Sequence, residues 1–278
     1  MSKFSSKSIL SLAGLAVLLA GACSSSKSNP SDGGGGSGGG FVGIPLVPST
    51  DSGFVDDAIS MVIGAWYSYG DSAGPAANLT STDFADSQCS VGGFTMDKCS
   101  QITSPTPGQP FPPTAGKGMC TSGTAAQVLM NAAGTTDYSH LFGAGIGLDF
   151  NNPGGEGGAP KGYFDMTPYR GIGFDFTGDV IPSMKMRVNF PFNMEHGTDS
   201  PYWDGVNMAS SPLTNGLHQE ITWDQVGGPM YLTGQTPSVT PPAFDKTMVA
   251  SIQFQVFTNT TAATPYSFCV NNLTLLKP

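Results

Sequence analysis

Apolar and polar residues alternate through several segments of this chain with the two-residue period of a half-buried strand. In residues 184–192, MKMRVNFPF, Met184, Met186, Val188, Phe190 and Phe192 share one face, while Lys185, Arg187 and Asn189 share the other. The same period sets Ile252, Phe254 and Val256 against Ser251, Gln253 and Gln255, and Ile172, Phe174 and Phe176 against Gly173 and Asp175. Further strands are predicted over 61–69, 119–130, 217–223 and 266–276. No segment holds a long 3.6-residue period with caps at both ends, so helices are expected to be short or absent. Residues 70–118 are rich in Pro, Gly, Ser and Thr, and SPTPGQPFPPTAGKG within them cannot form a central strand, so a long loop is expected there. Eight or nine strands of this kind predict an all-β fold, a sandwich of two antiparallel sheets.

One segment invites a different reading. FGAGIGLDF, residues 142–150, places glycine at Gly143, Gly145 and Gly147, as a phosphate-binding loop does. The dinucleotide fingerprint, however, needs G-x-G-x-x-G running from a strand into a helix. Here the spacing is G-x-G-x-G and DFNNPGGEGG comes next, which cannot start a helix. The glycines alternate with Ala144, Ile146 and Leu148, so they fall on one bare face of a strand that a loop, side chain or ligand can approach closely.

Composition fits export. Charged residues are 11% of the 278, and the formal charge is −9. The first 22 residues read as a secretion signal, with Lys3 and Lys7 ahead of an apolar run too short for an ordinary membrane span. Ala20, Gly21 and Ala22 immediately precede Cys23, which resembles the lipobox of a bacterial lipoprotein. That resemblance implies cleavage before Cys23, acylation of its sulfur and new amino terminus, and a membrane partner through the lipid. Ser24 carries no inner-membrane retention signal, so by the same resemblance the outer membrane is the expected location. Residues 24–40, SSSKSNPSDGGGGSGGG, contain almost nothing to bury and are expected to form a flexible tether with an r.m.s. reach of roughly 20–25 Å. Residues 41–278 are then expected to form a single domain. Without Lys3 and Lys7 the balance is 9 basic against 20 acidic residues, −11, which repels nucleic acid at long range.

Four further cysteines, Cys89, Cys99, Cys120 and Cys269, suit two disulfides in an exported chain. Three pairings are open. The expected one joins Cys89 to Cys99 across a small loop and Cys120 to Cys269 between an early strand and the last. No C-x-x-C pair is present, and the spacings do not fit a structural zinc site.

The segments GAWYSYGDSAG (64–74), MCTSGTAAQV (119–128), FGAGIGLDF (142–150), YRGIGFDFTGD (169–179), HQEITWDQV (218–226), ASIQFQV (250–256) and YSFCVNNLTLL (266–276) occur in an order that resembles a known family. It is the galactose-binding-like β-jelly-roll of carbohydrate-binding modules, in the variant carried by exported bacterial lipoproteins. The likeness spans most of residues 60–276. It implies a jelly roll that binds polysaccharide and does no chemistry. Asn271 and Asn272 stand where many relatives carry Asp, so no calcium site is carried over from the family.

Enzymatic signatures are missing: no G-x-S-x-G elbow, H-E-x-x-H or Walker loop occurs, and no cofactor motif. Ser139 and His140 are neighbours, which on a strand points them to opposite faces. Glu156, Glu195 and Glu220 are the only glutamates from which, with the aspartates, a glycosidase carboxylate pair could be drawn. The loop NMEHGTDSPYWDG, 193–205, is richest in ligand chemistry. Glu195, His196, Asp199, Tyr202, Trp203 and Asp204 supply carboxylates, an imidazole and two aromatic faces, a mixture suited to sugar hydroxyls and ring faces. The alternatives are that Tyr202 and Trp203 cap the sandwich while the charges are solvated, or that Glu195, His196 and Asp199 hold a metal. Alternation also separates Trp66 from Tyr67 and Tyr69, so one of these sets is core and the other offers an aromatic sheet face. Trp223 is expected to pack rather than bind. Asp56, Asp57 and Asp71 near the domain start are a candidate calcium set that matches no defined loop. The expected function is a surface-anchored, non-catalytic lipoprotein that binds carbohydrate. The alternatives are an adhesion or structural lipoprotein with a protein partner, or a glycan-cleaving enzyme.

Overall fold

The strongly alternating segments become the centres of two antiparallel sheets. A computed structural model describes residues 43–72, 87–106, 111–130, 132–138, 140–153, 162–179, 184–191, 204–209, 213–227, 244–258 and 261–278. Among them are thirteen strands. In chain order these are β1 Gly43–Pro45, β2 Phe54–Asp57, β3 Val62–Gly70, β4 Gln101–Ser104, β5 Met119–Ala125, β6 Gly143–Asp149 and β7 Gly171–Gly178, then β8 Met184–Pro191, β9 Asp204–Ala209, β10 Leu217–Thr222, β11 Val226–Gly227, β12 Ser251–Phe257 and β13 Thr264–Leu276. One sheet runs β10-β7-β13-β5-β4, with β1 also paired to β13, and the other runs β11-β9-β8-β12-β6-β3-β2. The expected all-β sandwich is therefore the fold, and the described residues all lie in one unit, Phe41–Pro278.

The inner faces meet through aromatic and aliphatic side chains. Ile172, Phe174 and Phe176 of β7, Ala144, Ile146 and Leu148 of β6, and Ile252, Phe254 and Val256 of β12 are all fully buried. Phe174 meets Phe254 edge-on at 4.9 Å, which links the two sheets, and Trp66 stacks on Phe254 at 6.5 Å. Each of these side chains larger than alanine contributes about 1.5–3 kcal/mol by leaving water, and this burial fixes the parity of β6, β7 and β12.

The strand count exceeds the eight or nine expected, because the additional strands include short ones. β1, β2, β4 and β11 hold two to four residues, too few to display a period, and their place is set by a partner's open edge. Residues 70–118 are thus not loop throughout. They contain a helical turn, Gln88–Val91, a 3-10 turn, Met96–Lys98, and β4, which pairs at the sheet edge with β5 and ends at Pro105, where no N–H is available to extend the ladder.

Both expected disulfides are present. Cys89–Cys99 closes a loop of sequence separation 10, and Cys120–Cys269 joins direct register partners on β5 and β13 across a separation of 149. Cys89 and Cys99 pack with Ala126, Val128 and Leu141 into a small second core, flanked by Phe94 and Leu129. The segments carrying Cys89 and Ser100 are also tied to the sheets by Asp71. Its carboxylate accepts from the Ser100 backbone N–H, from Ser100 Oγ at 2.8 Å and from the Gly143 N–H at 3.2 Å, and its carbonyl accepts from the Cys89 N–H at 2.9 Å.

Candidate functional site

The outer face of the seven-stranded sheet carries an aromatic platform, and its construction begins with parity on β3. Val62, Gly64 and Trp66 turn inward, so Tyr67 and Tyr69 stand on the opposite face, both half-buried. The neighbouring strand β6 meets them with glycine: Tyr67 is in register with Gly147 and Tyr69 with Gly145. A Cβ on Gly147 would lie 2.6 Å from Tyr67 Cζ and Oη, so the bare position is what lets the ring lie down across the sheet. The Tyr67 ring thus covers the bare position at Gly147, while a Cβ on Gly143 or Gly145 would meet the β12 backbone.

Beyond the glycines, β12 supplies amides. Gln253 is in register with Gly147 and Gln255 with Gly145. Gln253 Nε2 donates to the Tyr67 hydroxyl at 3.0 Å, and that hydroxyl donates to Ser251 Oγ at 3.3 Å. Tyr69 donates to Gln255 Oε1 at 3.5 Å, while the buried Gln255 amide donates to the Phe142 carbonyl at 2.7 Å. The two rings lie 6.0 Å apart at a 50° tilt. Their phenol ends are thus held by the sheet's own polar groups. A tyrosine so held loses little side-chain freedom on binding, and its ring offers an apolar face beside amide donors and acceptors, the combination that suits a flat polyhydroxylated ring.

No family model and no curated protein matches the chain. Among solved structures it is similar to the "Family 11 Carbohydrate-Binding Module of cellulosomal cellulase Lic26A-Cel5E of Clostridium thermocellum", with 16% identity and a TM-score of 0.35 over 64% of this chain and 81% of that one. It is also similar to the CtCBM11 of "Solution structure, dynamics and binding studies of CtCBM11", with 17% identity and a TM-score of 0.29 over 57% of this chain and 84% of that one. At this level of similarity the two sheets described above, and not the alignment, define the architecture.

Of the sequence-predicted ligand residues, Glu195, His196, Asp199, Tyr202 and Trp203 lie outside the described residues, as do Cys23, Ser139 and Glu156. Asp204 is the first residue of β9, in register with Pro191 at the end of β8. The loop joining these strands therefore springs from the same sheet as the tyrosines. Trp66 is a core residue and Trp223 a packing one, 7% exposed, its indole N–H donating to the Tyr169 carbonyl at 2.8 Å. Glu220 pairs with Arg170 at 2.6 Å. His140 faces Asp137, its Nδ1 2.9 Å from Oδ2.

Asp56, Asp57 and Asp71 are not brought together as a calcium set. Asp57 caps the turn after β2, accepting from the Ser60 N–H at 2.6 Å, Asp56 is exposed, and Asp71 points into the protein. Among the described residues no three His, Cys, Asp or Glu side chains form a group able to hold a metal. Burial raises the Asp71 carboxyl to about 6 against the lowering effect of its Ser100 and Gly143 donors. Burial likewise pushes the Tyr266 phenol up to about 12, and the nearby Asp71 charge adds to the rise.

On the outer face of the other sheet, His218 Nδ1 lies 2.8 Å from Asp175 Oδ1, and Asn272 donates to the second Asp175 oxygen. Asn272 sits at a register shift of β13 with φ of +51°. An amide there donates to the carboxylate where an Asp would repel it.

Proposed function

We propose that this protein is a surface-anchored, non-catalytic lipoprotein whose jelly-roll domain binds carbohydrate. The observation that carries the reading is the Tyr67–Tyr69 pair, two half-buried rings in register with glycines, Tyr67 lying across Gly147, and hydrogen-bonded to Gln253 and Gln255 on the outer face of one sheet. Sugar rings stack on the tyrosines, and their hydroxyls bond to the partly exposed Gln253 amide, while the buried Gln255 steadies Tyr69. To the same site we assign the segment carrying Glu195, His196, Asp199, Tyr202, Trp203 and Asp204, a role supported by its place in the chain between β8 and β9 of the tyrosine-bearing sheet. Anchoring by acylated Cys23 at the outer membrane, with residues 24–40 as tether, is supported by the lipobox-like sequence.

Affinity electrophoresis of the purified full-length protein through a panel of polysaccharides tests the binding. Tyr67→Ala is expected to weaken retardation about tenfold, the scale of one lost aromatic stacking contact. Absence of retardation in every gel would overturn the reading, and retardation unaffected by Tyr67→Ala and Tyr69→Ala would remove the platform from it. Loss of Trp203 without effect would confine the site to the platform. New reducing or unsaturated ends in the incubated polysaccharide would contradict the non-catalytic part. Cys23→Ala is expected to abolish palmitate labelling and release the protein from membranes.

A further inference from the structure

The sheet that bears the tyrosines also brings together two basic positions in a chain with only 11 basic residues against 20 acidic ones. β8 lies next to β12, and the register pairs Arg187 with Gln253 and Lys185 with Gln255. Two parallel rows therefore cross the sheet. One reads Tyr67, Gly147, Gln253, Arg187, and the other Tyr69, Gly145, Gln255, Lys185. Each runs from aromatic through glycine and amide to cation. Strand period assigns positions 185 and 187 to one face, that of Gln255 and Gln253. Three interstrand spacings of about 4.8 Å separate the tyrosine positions from the basic positions by roughly 14 Å, and the rows are about 7 Å apart. The next row, Asp149 with Ser251 and Asn189, contains a carboxylate, but it is buried and accepts from Asn152 Nδ2 at 2.9 Å.

We infer that the face takes an acidic polysaccharide, one whose sugar rings lie on Tyr67 and Tyr69 and whose carboxylate or sulfate groups reach the positions of Lys185 and Arg187. The inference rests on the carbohydrate-binding reading and narrows its substrate class. A protein of net charge −9 repels polyanions at long range, so attraction to one has to come from a local arrangement of cations. Guanidinium and ammonium donors form charge-assisted hydrogen bonds with carboxylate or sulfate oxygens, and neutral hydroxyls would gain less from the same positions.

Isothermal titration of the full-length protein with polygalacturonate, a sulfated galactan and a neutral mixed-linkage β-glucan distinguishes the cases. The expected result is tightest binding to one of the two acidic polymers, which identifies carboxylate or sulfate as the recognised group. That affinity should fall about tenfold in Lys185→Gln/Arg187→Gln, fall with rising salt in the unaltered protein, and fall in Tyr67→Ala. Neutral glucan bound as tightly as the acidic polymers, sensitive to Tyr67→Ala but not to salt or to the double substitution, would overturn the acidic class and leave carbohydrate binding standing. Acidic polymer bound equally by Tyr67→Ala would reduce the effect to charge alone and overturn the inference. No binding to any of the three, repeated across the wider panel, would overturn both readings. The salt series on the unaltered protein keeps the test decisive even if the double variant fails to fold.

Discussion

The two outer faces of this sandwich are made of similar strands and do opposite things. On the six-stranded sheet the outward groups engage each other: Cys120 is bonded to Cys269, His218 and Asn272 converge on Asp175, and Arg170 holds Glu220. On the seven-stranded sheet the outward groups include two tyrosines, Tyr67 lying across Gly147, steadied at their hydroxyl ends by Ser251, Gln253 and Gln255. In the first arrangement the polar chemistry is spent within the sheet, which holds strand to strand. In the second the hydrogen bonds position the two rings by their hydroxyl ends. The difference teaches that burial pattern alone does not identify a binding face; what matters is whether the half-buried side chains bond to one another or are held flat.

Four perturbations, from the largest expected effect to the smallest, would break or sharpen this contrast. Replacing Cys120 and Cys269 by Ala removes a cross-link of separation 149 and should cost about 4 kcal/mol of stability in urea unfolding, while the folded fraction keeps its affinity for polysaccharide. A change in affinity at constant fold would mean that the two faces communicate.

The second perturbation concerns Asp71, which joins Ser100 to the start of the tyrosine-bearing sheet at Gly143. Its folded pKa of about 6 stands above the ordinary value of 3.8, so its contribution to stability is fully present below pH 4 and lost as pH rises through 6. A shift of about two units corresponds to a swing of about 3 kcal/mol at most. Comparing denaturant midpoints at pH 4.5 and 7.5 for the unaltered protein and Asp71→Asn should show this component of the pH dependence vanish in the variant. The ionised carboxylate is stabilised only by dipolar donors, which explains why burial prevails.

Third, Gly147→Ala places a methyl 2.6 Å from the Tyr67 ring and 2.9 Å from the Ile252 carbonyl oxygen. The ring has to lift, so binding should weaken about tenfold and stability fall by about 1–3 kcal/mol, read by titration and thermal melting. Last, His218→Asn breaks the link to Asp175 on the opposite face. It should cost about 1 kcal/mol or less in the same melt and leave binding unchanged.

The centres of the fold were legible in the sequence because strict alternation over six or more residues, as in 171–176 and 251–257, has no other low-energy meaning. β2 and β4 were not, because Phe54–Asp57 and Gln101–Ser104 are too short to show a period and gain their place from β3 and β5. Chain position favoured the cysteine pairing that the structure contains but left the other two open. The site was half legible. Alternation split Trp66 from the two tyrosines, and the glycines of 143–147 announced a bare face, but nothing local to either segment says that β3 and β6 are neighbours. Pairing a strand of alternate glycines with a strand that turns two tyrosines to the same face would have been the signal, since a ring lies across a sheet where the neighbour has no Cβ beneath it. Lys185 and Arg187 were visible as the polar face of a strand, yet their proximity to Gln253 and Gln255 is a matter of register.

Both tyrosines belong to a single strand, two residues apart, and this makes the face a matter of odd and even numbers. Removing one residue between Ile63 and Tyr67 would shift the parity of every later position on β3, sending Tyr67 and Tyr69 toward the core and bringing Ser68 to the surface. The chain therefore fixes which side of the sheet carries the two rings in the count of residues from the β2–β3 turn, so that a single deletion there exchanges the inner and outer faces of the strand.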